Sequence, residues 1–422
     1  MSEQAKKVKV MVIGDHLLAP SGVANQLRYV VDALYETGDF SFVYVGGAVK
    51  HENYTPQRFD KYGDDLTLYP VDGYGTPDIV RSLLKTERPD ILFFMTDPRF
   101  YEWLWLIENE VRQQVPMVYF HVWDNFPVPK YNKKYLSSND VIIPISKLTD
   151  KICKELVPEV PTVRLGHTVN TDVFKPLGGN LKEALLPQCK DKFVLFYNGR
   201  NARRKMVGTM LVWFRDFLDI VGEDKASFLL HTDPHDPHGA NLQQIVKDFN
   251  LGDEKVLFST TTLNEHQLAQ IYNAVDLSIN LSDAEGFGLC VLESLACETP
   301  VLVGMTGGPQ EQVTDGKNWF GRGLRPSSQM IVGTQHPTPY IFEDRYSKED
   351  FLKNTVELYK KWNKNHKEYN KMGKLGRKHV LKNYGFDKFK KGFVNTMKKI
   401  HEDFGSWETR KGYKPWAIKE IK

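Results

Sequence analysis

Cysteine is scarce in this sequence: four residues in 422, Cys153, Cys189, Cys290 and Cys297, none in a C-x-x-C spacing. Neither a disulfide framework nor a thiolate zinc cluster is indicated, and buried thiols are expected. Long apolar runs are missing too, since no stretch approaches the ~18 uninterrupted apolar residues of a membrane span. The opening MSEQAKKVKVMVIG passes from two lysines into a short strand-like run, with neither the apolar segment nor the cleavage site of a secretory leader. The expected location is the cytoplasm. A G-x-G-x-x-G fingerprint is absent, which weakens a dehydrogenase reading, and no repeat or low-complexity tract interrupts the chain.

What is present is a folded composition, 41% hydrophobic and 12% aromatic, on a chain too long for one ordinary core. Two domains of roughly 200 residues are the natural division. VKVMVIGD (8–15) is a strand-like run ending in a glycine turn and a helix-like segment, and the same grammar recurs at 41–47, 89–97, 116–124 and 140–146. Continuous apolar strands alternating with helices predict a parallel sheet covered on both faces. VFKPLGGN (173–180) interrupts both periods, after which five more strands are expected at 192–200, 227–233, 255–260, 276–282 and 299–304. The reading is two successive doubly wound α/β domains with ligands in the cleft between them. Charge is uneven: residues 351–422 carry 20 Lys and Arg against 7 Asp and Glu, a balance of +13 that leaves −10 for the rest. That asymmetry fits a solvated helical face or a polyanion partner.

Chemistry concentrates in two stretches. In DAEGFGLCVLES (283–294) a glycine-rich loop precedes a helix-like run, so unpaired N–H groups and the positive end of a helix dipole face a ligand. Glu285 sits in the loop and Glu293 roughly 8 Å further along the helix at about 1.5 Å per residue, too far apart to share one small ion. Opposite ends of an elongated ligand would suit them. In YNGRNARRKM (197–206) four cations follow a strand, the kind of fixed positive charge that stabilises a departing phosphate.

These residues resemble the signature of glycosyltransferase family 4, retaining enzymes of GT-B fold that use nucleotide sugars. Ser282, Glu285, Gly286, Phe287, Gly288, Leu289, Glu293, Thr299, Pro300, Val301, Gly307, Gly308 and Glu311 match that signature in order, and Arg200 with Lys205 keeps its Gly-Arg, four residues, Lys spacing. The resemblance implies two Rossmann-like domains facing a central cleft: 1–177 on the acceptor side, 178–385 on the donor side, and a helical segment 386–422 crossing back onto the first. It implies transfer of a sugar from a UDP- or GDP-type donor to an acceptor hydroxyl, hexosyl or pentosyl, without a metal or a further cofactor. Retention is explained in the family by front-face attack assisted by the departing phosphate, so no protein nucleophile is assigned.

By the same resemblance Arg200 and Lys205 stabilise the leaving diphosphate, Glu285 holds sugar hydroxyls, Glu293 holds the ribose, and the backbone of Gly286, Phe287, Gly288 and Leu289 approaches the sugar and phosphates. Gly22, in GDHLLAPSGVANQ, stands where relatives have paired glycines; His121, in YFHVWDN, is the candidate for the histidine near the transferred sugar, although Asp124 follows it at a spacing unlike some relatives. HTDPHDPHG (231–239) could be a metal site but reads better as a loop lining the donor cleft. The acceptor is open: glycan, lipid or small molecule, with peripheral membrane contact compatible with the basic tail. One alternative is a DNA-modifying transferase acting on a hydroxylated base, suggested by aromatics such as Tyr359, Trp362, Tyr369, Tyr384 and Phe389 among the C-terminal charges. Another is a catalytically silent scaffold subunit.

Overall fold

The computed structural model describes residues 6–417 apart from 124, 129, 253 and 334–337, so Asp124 lies outside the described residues. Two sheets dominate. The first contains β1 Val8–Asp15, β2 Phe40–Gly47, β3 Leu66–Pro70, β4 Ile91–Thr96, β5 Met117–His121 and β6 Val141–Pro144 in the order β3-β2-β1-β4-β5-β6. The second contains β7 Phe193–Asn198, β8 Ala226–His231, β9 Val256–Ser259, β10 Leu277–Asn280, β11 Val301–Gly304 and β12 Gly321–Leu324 in the order β12-β11-β10-β7-β8-β9. All the pairings within both sheets are parallel. The alternation of side chains sorts each strand between two cores: Val10 and Val12 of β1 join one cluster, Met11 and Ile13 the other.

Each sheet has one strand more than the five expected from sequence. β3 is a five-residue edge strand closing on Pro70, and β12 reads Gly-Arg-Gly-Leu. Neither has the apolar run that marks a buried strand. A third unit was also not anticipated: β13 Ser328–Val332 and β14 Ile341–Arg345 form an antiparallel ribbon. It leaves the second domain and reaches the first, where Asn125 Nδ2 donates to the Phe342 carbonyl at 2.6 Å, Tyr131 Oη to the Tyr340 carbonyl at 2.6 Å and Gln329 Nε2 to the Phe126 carbonyl at 2.7 Å.

The expected return of the C-terminal segment is present. The Phe386–Phe404 helix packs on the Gly22–Tyr35 helix, and Phe393 sets its ring 6.3 Å from Phe93 and 5.2 Å from Phe120, inside the first domain's core. Beyond it, Ser406 Oγ donates to Asp90 at 2.8 Å and Arg410 pairs with Asp140 at 2.8 Å. The preceding His366–Tyr384 helix lies against the Leu289–Ala296 helix, and Gly373 permits the approach: a Cβ there would stand 1.8 Å from the Glu298 carbonyl oxygen. Helix propensity alone favours alanine at an interior glycine by about 1 kcal/mol. Here the backbone clash dominates, and Gly373→Ala is expected to destabilise by roughly 1–3 kcal/mol, whereas Gly178→Ala, with open space around it, should be near neutral; thermal unfolding of the two variants checks the contrast.

Candidate active site

The carboxyl ends of β7, β8 and β10 and the loop after β1 face one another across a cleft of about 1110 Å³. Five of the residues expected from sequence, Arg200, Lys205, Glu285, Glu293 and Gly22, line it together with Gly286, Phe287, Gly288 and Leu289. Two helix starts meet there. Ser21 caps the Gly22–Tyr35 helix by accepting from the Ala24 N–H at 3.0 Å, and its hydroxyl donates to Asp15. Opposite, Gly288 caps the Leu289–Ala296 helix with φ +84°, a left-handed conformation that glycine adopts without strain. A Cβ on Gly22 would come within 3.0 Å of Leu289 Cδ1, so the two positive helix ends approach closely.

The glycine-rich loop rests on a second one. Gly307, at φ +51°, leaves no room for a side chain, since a Cβ would fall 1.4 Å from the Glu285 carbonyl oxygen. A Cβ on Gly308 would fall 2.3 Å from that of Phe287, and the Gly308 N–H donates to the Glu285 and Gly286 carbonyls at 3.3 and 3.2 Å. Gln312 Nε2 adds a bond to the Phe287 carbonyl at 2.6 Å. The Phe287 ring is buried between His167 of the first domain, 4.8 Å away, and Tyr384, 5.9 Å away. Its side chain is thus a domain contact, and only its backbone is disposed towards a ligand.

Glu285 is nearly buried and paired directly with Lys205. Burial works to raise its pKa, but the Lys205 and Arg204 charges, with hydrogen bonds from Lys205 and Ser282, outweigh it and hold the carboxyl below its ordinary value. Arg204 also donates to the Ala284 carbonyl at 2.7 Å. Arg203 turns away from the cleft to Glu343 on β14, with Asp283 3.7 Å away, so this part of the basic run anchors the ribbon. Arg200 is largely exposed and held by Asp236, with Nε to Oδ2 at 2.5 Å and Nη2 to Oδ1 at 3.2 Å. Asp236 belongs to the 231–239 loop, whose His231, Thr232 and Asp233 line the cleft. Among the described residues no group of three or more His, Cys, Asp or Glu is arranged to hold a metal ion.

Glu293 has partners that sequence reading missed. Tyr272 Oη donates to it at 2.8 Å and Asn198 Nδ2 at 3.4 Å. Asn198 ends β7, within the motif already singled out, but Tyr272 comes from the Glu265–Ala274 helix, where nothing in its spacing marks it. Burial pushes the Glu293 carboxyl up to about 7. The first domain's Tyr29 and Arg28 reach across to Glu265, at 2.8 and 3.7 Å, and tie the domains together beside this group.

His121 is not brought to the cleft. Strand alternation turns it to the face of β5 covered by the Lys147–Leu156 helix, where it is fully buried with Nδ1 3.4 Å from Cys153 Sγ. Burial depresses its pKa to about 3, so it is neutral. His167 occupies the position at the domain interface instead: it lines the cleft, is buried, and has no partner for Nδ1 among the described residues. The C-terminal aromatics are also turned inward. Tyr359 and Trp362 pack on Phe193, Trp362 and Tyr369 both bond to Asp276, at 2.9 and 2.6 Å, and Phe389 lies 4.5 Å from Phe393. They do not form a stacking platform for bases.

A carboxyl whose folded pKa lies above its unfolded value favours folding most at low pH and loses that contribution as pH rises through the folded pKa. For Glu293 the window runs from about 4.5 to about 7. Glu293→Gln should therefore be more stable than the native chain at pH 8, by up to about 3 kcal/mol at roughly 1.4 kcal/mol per pKa unit, with the difference vanishing near pH 4; denaturant melts at the two pH values test this.

Residues 188–325 match the family described as Glycosyl transferases group 1. Among curated proteins, a D-inositol 3-phosphate glycosyltransferase from Streptosporangium roseum is 31% identical over 154 residues, 35% of each chain. A trehalose synthase from Thermococcus litoralis is 33% identical over 130 residues, 30% of this chain and 29% of the other. The chain thus matches about a third of the length of these curated relatives. Solved structures align over nearly the whole fold: sucrose-phosphate synthase from Thermosynechococcus elongatus with TM-score 0.74, 16% identity and coverage of 94% and 100%, and Anabaena HepE in complex with UDP and glucose with TM-score 0.68, 13% identity and coverage of 93% and 99%. The architecture is GT-B, and residues 188–325 are similar to the glycosyl transferases group 1 family.

Proposed function

We propose that the chain transfers a sugar from a nucleoside diphosphate donor, of UDP or GDP type, to an acceptor hydroxyl with retention at the anomeric carbon, without a metal. The observation that carries this reading is the meeting of Arg200, Lys205, Glu285 and Glu293 at one cleft into which two helix N-termini open. Cations and helix ends suit a diphosphate; the two carboxylates, on either side of the glycine-rich loop, suit the sugar hydroxyls and the ribose diol.

In the reaction, the bond from the anomeric carbon to the β-phosphate oxygen breaks and its electron pair leaves with the diphosphate. The acceptor oxygen bonds to the same carbon, and its proton passes to the departing phosphate. Lys205 exchanges its contact with Glu285 for the phosphate, releasing the carboxylate to the sugar. Arg200, already oriented by Asp236, adds charge where the diphosphate develops it. Closure of the domains excludes water that would hydrolyse the donor. The scheme needs no group from His121, which is fully buried beside Cys153. The inward-facing aromatics favour a hydroxylated small molecule, glycan or lipid over a DNA base as acceptor.

Lys205→Ala and Arg200→Ala should each lower donor turnover at least ~10²-fold through lost transition-state charge stabilisation, measured as release of the nucleoside diphosphate with and without candidate acceptors. Near-native turnover in either variant contradicts its assignment, and no turnover of any donor by the native chain favours a silent scaffold.

A further inference from the structure

A second cavity, of about 1440 Å³, opens between the domains and shares only Ile145 and His167 with the donor cleft. Basic residues reach its walls from three separate parts of the chain. The first domain contributes Lys147 and Lys151 from the Lys147–Leu156 helix, and Arg164. Lys378 and Lys382 stand one turn apart near the end of the His366–Tyr384 helix, and Lys388 and Lys391 open the Phe386–Phe404 helix. Gly392 brings that last helix onto the Arg164 segment, since a Cβ there would lie 2.8 Å from Leu165 Cδ2.

This charge is poorly compensated. Three acidic residues, Glu311, Asp315 and Asp344, share the lining. Asp315 is occupied by Asn318 and the Lys317 N–H, and Asp344 accepts from Gln329 at 2.9 Å. Glu311 alone serves Lys147 and Arg164, at 3.7 and 3.5 Å. Among the described residues, Lys378, Lys382, Lys388 and Lys391 have no carboxylate within ion-pair distance. Lys388 moreover sits in the first turn of its helix, where the dipole disfavours a cation. The groups do converge on His379: burial lowers its pKa, the Glu311 carbonyl and the Asp315 charge oppose this, and Lys147 and Lys382 both push it down. Like charges gathered from both domains around one concave site oppose closure unless an anion joins them.

We propose that this chamber binds a small compound carrying several phosphate groups, held by Lys378, Lys382, Lys388 and Lys147 and separate from the donor. The lysines suit phosphates as flexible point charges. The cavity is too large for one orthophosphate. Occupancy would neutralise the repulsion between the Lys147 helix and the 378–391 corner, and so favour the closed arrangement of the domains. The site does not depend on the donor reading.

The test is calorimetric titration of tripolyphosphate into the full chain, with and without saturating UDP. Binding is expected under both conditions, weakened at least ~10-fold in Lys378→Ala/Lys382→Ala and in Lys147→Ala. Lys371→Ala/Lys374→Ala removes the same charge from positions of the same helix that do not line the cavity, and should leave affinity within about twofold, since charges further from the ligand are screened more. Equal weakening by both double variants, competition by UDP, or retention of a single-stranded oligonucleotide without tripolyphosphate binding overturns the proposal. Thermal melts of each variant show that the fold is kept, and a failure of UDP alone to bind bears on the donor reading and leaves this result intact.

Discussion

The contact between Lys205 and Glu285 organises the second domain's share of the cleft. It joins the loop after β7 to the loop after β10, so strands that are neighbours in the sheet present their functional groups as one unit. A buried carboxylate with no cation would be costly. Here Lys205 and Arg204 keep Glu285 ionised. The glycines at 307 and 308 then act at one remove: they let a third loop underpin the Glu285 backbone closely enough to fix where the carboxylate points. Glu293 is treated differently. Its partners are the neutral Tyr272 and Asn198, so its charge is left to burial and its pKa rises. The two glutamates of one motif therefore differ in protonation behaviour, as expected if one is to meet neutral hydroxyls beside a cation and the other to stay adaptable near neutral pH.

Much of this arrangement was legible before the structure. The continuous apolar runs identified ten of the twelve sheet strands, because strands buried on both faces have a sequence signature. β3 and β12 escaped because neither carries a continuous apolar run, β3 reading Leu-Thr-Leu-Tyr-Pro and β12 Gly-Arg-Gly-Leu. The β13–β14 ribbon escaped because it is short and its partners lie in the other domain, a contact no local pattern encodes. His121 was misleading for a geometric reason. A histidine at a strand end can face the cleft or a helix layer, and only the register of β5 decides. Tyr272 was invisible since its role depends on a helix packing beside Glu293, not on anything near it in sequence.

The C-terminal charge changed meaning most. In sequence it looked like a basic segment interleaved with aromatics. In three dimensions the two populations largely separate: Tyr359, Trp362 and Tyr369 pack into the second domain, while Lys378, Lys382, Lys388 and Lys391 gather at a cavity wall that Tyr384 and Phe389 also line. Helical periodicity makes that separation possible, because residues three and four apart share a face. The return of the last helix onto the first domain then sets those cations against Lys147 and Arg164, so the covalent link between the domains also shapes the electrostatics of their interface.

The central claim, that the cleft joining Arg200, Lys205, Glu285 and Glu293 is a nucleotide-sugar site, is tested most directly by thermal unfolding with UDP, GDP and ADP, run in parallel on the native chain and Glu293→Ala. A ligand that binds only the folded state raises the midpoint. The account predicts that UDP or GDP does so in the native chain and much less in the variant. A midpoint unmoved by all three, or a shift equal in both proteins, would contradict it.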